Sequence, residues 1–160
     1  MRTTLLTTLL LAGVLSAATI SPTPPKQTNK KKAKLYQAGM KALKTNCPTT
    51  AAKAAKGRKI LVVNLCAGFP HSSIPLVAQA IEAMGKSTGA YEADFTNDMT
   101  AFDDAVLKGY DAVVLNNTTK LPVSASQKKA LMDFVKSGKG LVGIHAAADN
   151  FYDWPEGAAM

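Results

Sequence analysis

Two histidines are the residues of this chain best suited to proton transfer. They are His71 and His145, and each one follows a short apolar run. Imidazole exchanges protons near neutral pH, so two of them brought together could supply one acid and one base. A single loop histidine is more often a plain surface residue, so the hypothesis depends on whether the fold brings the pair together.

Polar and aromatic residues near both histidines could bind a ligand. Neutral hydroxyls and amides, which are suited to pairing with ligand hydroxyls, occur next to His71 and after a third apolar run, although such residues also simply end strands. Aromatic rings that follow His145 could stack on a ring of the ligand or belong to the core. The predicted substrate-binding residues are Ser72, Ser73, Asn117, Thr118, Asp149 and Trp154.

Asp149 has three alternative roles. It lies four residues beyond His145, so on a helix the two side chains share one face. It could orient the imidazole, join His71 and His145 as a metal ligand, or cap a helix without any function. We assign no metal ligand and no cofactor from the sequence.

The elements that must position these residues begin at Lys59, where four apolar runs alternate with three stretches of helical periodicity. The runs are Ile60 to Leu65, Tyr91 to Phe95, Ala112 to Leu115 and Leu141 to Ile144. This alternation is typical of parallel strands joined by crossover helices, so we predict an α/β fold. Only the second run alternates apolar with acidic residues, as an edge strand does, which predicts the strand order 2-1-3-4.

Capping residues set the ends of the predicted helices. The first begins at Ser72 or Ser73 and ends at Gly85. The others run from about Thr100 to Leu107, and from Ser124, with Gln127 at capping-box spacing, to Gly138. In a sheet of this order, ligands bind beyond the carboxyl ends of strands one and three, and both histidines follow strands that end there.

The first 57 residues differ from the rest in composition. Residues 1–18 have an early Arg2, an apolar run and a small-residue ending, which predicts a secretory signal peptide, export to the periplasm or the medium, and no stable membrane insertion after cleavage at Ala18. Residues 19–57 are basic and rich in Pro, Thr and Ala, which predicts a mostly disordered linker with a weakly held helix from about Lys31 to Lys44. In an oxidising compartment Cys47 and Cys66 could pair, and the spacing leaves this open.

The net charge of +8 arises in this linker. Ten Lys or Arg and no acid lie between Thr19 and Arg58, whereas residues 59–160 hold eight Lys and eleven acids. No aromatics are interleaved with the lysines for base stacking, so we predict a solvated linker and no nucleic-acid partner.

Several co-linear motifs occur between about residues 58 and 160. They are Ala67 to Ser73, Tyr110 to Val114, Asn117 to Thr119, Gly143 to Asp149 and Tyr152 to Pro155. In their order and spacing they resemble the trehalose-utilisation (ThuA-like) family. The resemblance implies a flavodoxin-like three-layer sheet of the class I glutamine amidotransferase-like group and a link to sugar catabolism. It also implies a domain that continues past Met160, so we expect the fold of residues 58–160 to be an incomplete fragment of it.

The resemblance places His145 where amidotransferases carry a nucleophilic cysteine on a sharp strand-to-helix turn. An imidazole cannot perform thiolate chemistry, so glutaminase activity is not expected. Our hypothesis is an exported protein that acts on a small-molecule sugar or glycoside, with His71 and His145 as acid/base groups, in a hydrolase or isomerase reaction. The alternatives are a non-catalytic carbohydrate-binding module and a metal-dependent hydrolase built on the same crevice.

Overall fold

The structure of the protein is a computed structural model that describes residues 29–53 and 56–160. The predicted signal peptide lies outside these residues. Within the described ranges, no helix is both long and apolar enough to cross a membrane.

Four parallel strands form one sheet, with helices on both of its faces. The strands are β1 (Arg58–Val63), β2 (Tyr91–Thr96), β3 (Ala112–Asn116) and β4 (Gly140–Ile144). The helices are α1 (Lys30–Asn46), α2 (Ile74–Thr88), α3 (Asp104–Leu107), α4 (Ala125–Lys136) and α5 (Pro155–Ala158), with 3₁₀ turns at Met99–Phe102 and His145–Ala148. The order β2-β1-β3-β4 confirms the predicted α/β class and strand order.

Alternate residues of β1 fill two separate cores. Leu61 and Val63 face the larger one, with α3, α4 and the carboxyl-terminal segment, whereas Ile60 and Val62 face α2. These side chains are all at least nine-tenths buried, and each such side chain stabilises the fold by roughly 1.5 to 3 kcal/mol. Burial on both faces explains why the strand reads as a continuous apolar run.

The outer strand β4 is less well covered. Its Val142 is 47% exposed, in contrast to the buried valines of β1. Because β4 is the last strand of the order, its outer edge has no neighbouring strand among the described residues.

Two helix boundaries differ from the prediction. Helix α2 continues past Gly85, which packs against Tyr91 where a Cβ would collide, and it ends at Gly89 with a φ of 64°. The predicted helix from Thr100 to Leu107 is a 3₁₀ turn followed by α3, because Asp103 between them is extended. The capping box of Ser124 and Gln127 at the start of α4 is confirmed.

Helix α1 is longer and better packed than the predicted linker helix. Asn29 caps it by accepting from the Lys31 backbone N–H at 2.9 Å. Its Tyr36 is 8% exposed, and Gly39 lies so close to the Leu76 side chain of α2 that a larger residue would force that side chain to move. Where the sequence predicted a mostly disordered linker, residues 30–46 therefore form a helix that docks on α2.

The two cysteines are not paired. Cys47 Sγ lies 3.3 Å from the Ser87 hydroxyl, and Cys66 Sγ lies 2.9 Å from the Thr119 hydroxyl. Each thiol is thus engaged within its own part of the fold.

Candidate functional site

The register of the sheet places three loops side by side. Val63, Leu115 and Gly143 share one row across β1, β3 and β4. The loops that begin just beyond this row are residues 64–73, residues 117–124 and the segment from His145 onward. Residues far apart in the sequence therefore meet at the carboxyl edge of the sheet.

The two imidazoles are neighbours at this edge. The ring centroids of His71 and His145 are 4.6 Å apart, and the rings lie edge-to-face at 81°. The ring of Phe69, which is 72% exposed, stands 5.2 Å from His71 on the other side. His145 is exposed and His71 half-buried, so both are open to a ligand from solvent.

His145 occupies a strained turn. The preceding Ile144 is still extended, whereas His145 has a φ of 50°, in the left-handed region. That conformation costs a residue with a Cβ roughly 1 to 2 kcal/mol. Strain of this kind persists only where the surroundings hold it in place, and it concentrates at functional sites.

A chain of amide hydrogen bonds holds the loop that carries His71. The Ser73 hydroxyl donates to Asn117 Oδ1 at 3.4 Å, and Asn117 Nδ2 donates to Asn116 Oδ1 at 2.8 Å. Asn116 Nδ2 in turn donates to Asn64 Oδ1 at 2.7 Å and to the Ile74 carbonyl at 3.0 Å. These bonds tie the ends of β1 and β3 to the start of α2.

The predicted substrate-binding residues separate into exposed and buried groups. Ser72 is exposed and Ser73 is half-buried beside the histidines. Asn117 and Thr118 are at most 1% exposed, so they lie beneath the site and support it. Sequence alone could not distinguish a polar side chain that lines a crevice from one that forms its floor.

Asp149 and Trp154 have other partners than those suggested. Asp149 Oδ1 accepts a hydrogen bond from the hydroxyl of Tyr152, and that bond raises the pKa of the tyrosine. Trp154 is 8% exposed and packs against Phe151 in the larger core, with ring centroids 5.1 Å apart. The exposed aromatic side chain of this segment is Tyr152 itself, one of the rings after His145 for which the sequence suggested stacking on a ligand.

A cavity of about 470 Å³ opens beside His145. It lies between the 3₁₀ turn, the face of β4 that carries Leu141 and Gly143, and the carboxyl-terminal segment, and its lining includes Asn150, Tyr152 and Met160. Among the described residues, no group of three or more His, Cys, Asp or Glu side chains is arranged to hold a metal ion. The set His71, His145 and Asp149 is therefore not assembled as a metal site.

Sequence reasoning missed residues that shape this edge from inside. Cys66 Sγ donates to the Phe69 carbonyl at 3.1 Å and also contacts Thr119, so it joins the first two loops. Asn150, 4% exposed, joins the second and third loops. The available signal was their position immediately after strands or turns, which is too common to single them out.

The order of the parallel strands, the flanking helices and the loops at the carboxyl edge define a flavodoxin-like α/β protein. Residues 59–160 match the family described as Trehalose utilisation (ThuA). The chain belongs to the ThuA family.

One solved structure supports the fold. It is the crystal structure of a ThuA-like protein from Bacteroides uniformis ATCC 8492, with a TM-score of 0.51 and 23% sequence identity. The similarity covers 68% of this chain and 44% of that one, so this chain spans less than half the length of that protein. No curated protein matches the chain.

Proposed function

We propose that this ThuA-family domain acts on a sugar or glycoside, with His71 and His145 as its acid and base. The observation that carries the proposal is the contact of the two imidazoles, 4.6 Å apart, at the carboxyl edge of the sheet. Membership of a family described by trehalose utilisation supports a role in carbohydrate catabolism.

The surroundings of the pair leave both rings available for proton transfer. Within the described residues, no protein group hydrogen-bonds to either imidazole, so the ring nitrogens can engage a substrate. A neutral ring would take a proton from water or a sugar hydroxyl, and a protonated ring would give one to the oxygen of the breaking or rearranging bond. Hydrolysis and isomerisation both need this exchange.

The exposed groups beside the histidines suit a sugar. Phe69 and Tyr152 are 72% and 73% exposed and flank the site. Aromatic faces pack on the apolar side of a sugar ring, while the Ser72 hydroxyl and the Asp149 carboxylate can pair with its hydroxyls.

The proposal is tested by turnover of trehalose and of p-nitrophenyl α-D-glucopyranoside by the full chain and by His145→Asn. Asparagine tolerates the left-handed backbone but transfers no proton, so the variant isolates the chemistry from the fold. We expect His145→Asn to lower the turnover number by about 100-fold. The control is Asn46→Ala, whose side chain is exposed on α1 and bonds only within that helix and to its neighbour.

Other results would point to the alternatives. If the wild type turns over neither compound but calorimetry detects trehalose binding that His145→Asn weakens, the domain is a carbohydrate-binding module. Bound metal found by elemental analysis and lost in His145→Asn would favour a metal-dependent hydrolase. Full turnover by His145→Asn would refute the acid/base role.

We also propose that the protein is exported, on the basis of the sequence of residues 1–18. Amino-terminal sequencing of material from the periplasm or medium should then begin at Thr19. Intact Met1 on the soluble protein inside the cell would contradict this.

A further inference from the structure

Asn150 forms a buried connection between two of the three loops at the carboxyl edge. Its Oδ1 accepts from the Leu121 backbone N–H at 3.0 Å. Its Nδ2 donates to the carbonyl and hydroxyl oxygens of Thr118, at 3.0 and 2.8 Å, and to the Ala147 carbonyl at 2.9 Å. At 4% exposure the amide is almost completely removed from water, so these partners replace its solvation.

The Ala147 carbonyl matters because it lies in the 3₁₀ turn that begins at His145. The turn has only four residues, so fixing its third residue restricts the first. Two backbone hydrogen bonds cross between the same loops, from Asn117 N–H to the Ile144 carbonyl at 3.2 Å and from Lys120 N–H to the Asp149 carbonyl at 3.0 Å. They flank the turn, whereas Asn150 holds it from within.

The strain at His145 requires such a support. A histidine with a φ of 50° relaxes toward the ordinary region unless the structure around it prevents this. A change of that dihedral angle would swing the ring away from His71, which is held by a different set of bonds through Ser73 and Asn117.

We infer that Asn150 is a positioning residue for His145, which keeps the His145 imidazole in contact with that of His71. Its effect on turnover rests on the proposed acid/base function, whereas its effect on ring geometry does not. The two effects can therefore be measured separately.

The chain offers a direct measurement of the geometry because it holds only two histidines. In the full chain labelled selectively at histidine, a nuclear Overhauser effect between the two rings reports their contact without ambiguity. Asn150→Leu keeps the number and branching of the side-chain heavy atoms and removes every hydrogen bond of the amide. We expect it to lose the inter-ring effect and to lower kcat by about 10- to 100-fold with a smaller change in KM.

Gln127→Met is the matched control. The Gln127 amide also joins two segments, with Nε2 donating to the Met99 carbonyl at 2.8 Å and to Asp103 at 3.0 Å, but it lies at the start of α4. Gln127→Met should therefore lower stability and leave the nuclear Overhauser effect between the two rings intact. If both variants lose that effect, general loosening explains the result and the inference is overturned.

Two further results separate the possible failures. An inter-ring effect and turnover that persist in Asn150→Leu would overturn the role of Asn150 alone. Absence of the effect in the wild type would remove the histidine pair and the proposed function with it. If Asn150→Leu does not fold, Asn150→Asp retains the acceptor for Leu121 and removes the donors, and it must then weaken the effect for the inference to stand.

Discussion

The two ends of the sheet are built with different chemistry. At the carboxyl edge the buried polar groups are neutral amides and hydroxyls, and His145 is held in a left-handed turn. Toward the amino edge the polar groups are charged: Lys59 Nζ and the Tyr110 hydroxyl both lie 2.8 Å from Asp94 Oδ2. The Asp111 carboxylate also accepts from the Lys59 backbone N–H at 2.8 Å.

Under the proposed function, stability and activity depend on opposite ends of the sheet. At the amino edge each group satisfies another, so a change there can only remove support. At the carboxyl edge the fold maintains backbone strain at His145, which costs stability, and both imidazoles remain accessible to a ligand. Changes at the two ends should therefore separate activity from stability.

The largest expected effect is on activity at the carboxyl edge. His71→Asn should lower turnover of p-nitrophenyl α-D-glucopyranoside by about 10², because the pair loses one of its two proton carriers. Tyr110→Phe, at the other edge, should leave kcat and KM unchanged. Steady-state kinetics on both variants measures this difference. A large loss of turnover in Tyr110→Phe would show that activity also depends on the amino edge.

The next effect is on stability at the amino edge. Asp94→Ala should lower the free energy of unfolding by about 1 to 3 kcal/mol, because the Tyr110 hydroxyl, in a residue 4% exposed, loses its acceptor. Asp133→Ala removes an exposed ion pair with Lys129 and should leave the free energy of unfolding almost unchanged. Urea denaturation measures the free energy of unfolding of both variants. Equal losses would show that the amino-edge network stabilises the fold no more than an exposed ion pair does.

The contribution of the amino-edge network of Tyr110 and Asp94 to stability should depend on pH in the alkaline range. Burial, and then the hydrogen bond to Asp94, raise the pKa of Tyr110 above its ordinary value of 10.0. Above pH 10 the unfolded chain releases a proton that the folded chain keeps, so the free energy of unfolding should fall as the pH rises from there. Tyr110→Phe should make that fall shallower without removing it, since burial also raises the pKa of Tyr91. Identical pH profiles in the two proteins would contradict this account.

The smallest expected effect tests the strain itself. His145→Gly should raise the free energy of unfolding by up to about 1 kcal/mol, because glycine adopts a φ of 50° without penalty. Lys120→Gly is a matched control at a φ of 52°, since Lys120 is exposed and has no part in the proposed chemistry. It should raise stability similarly and keep full activity, whereas His145→Gly should be inactive. A loss of stability in both would show that neither position is strained.

The sequence predicted the sheet well because its signals are local. A strand buried on both faces reads as an apolar run, and Tyr91 to Phe95 alternates, so the class and strand order followed. The predicted end of α2 was wrong because two glycines four residues apart have different roles. Gly85 allows close packing against Tyr91 and Gly89 adopts a positive φ, and only coordinates separate them.

The site was harder to predict because its details depend on contacts between distant segments. Strand order was enough to bring His71 and His145 to one edge, but no pattern marks a histidine for a left-handed backbone. The sequence left Trp154 open between a ligand-stacking ring and a core residue, because it does not reveal that the ring packs against Phe151 in the larger core. The docking of α1 was underestimated because it depends on the close contact of Gly39 with Leu76.

The strand order also sets when the site can exist during folding. His71 and His145 are 74 residues apart in the sequence, and β1 and β4 are joined only through β3. The rings can meet only after β3 has paired with both neighbours, and each pairing closes a long loop at an entropic cost. Until β4 joins the sheet, His145 is not held beside His71, so the proposed acid/base pair is absent. Recovery of activity on refolding should therefore follow the docking of the outermost strand rather than the collapse of the core.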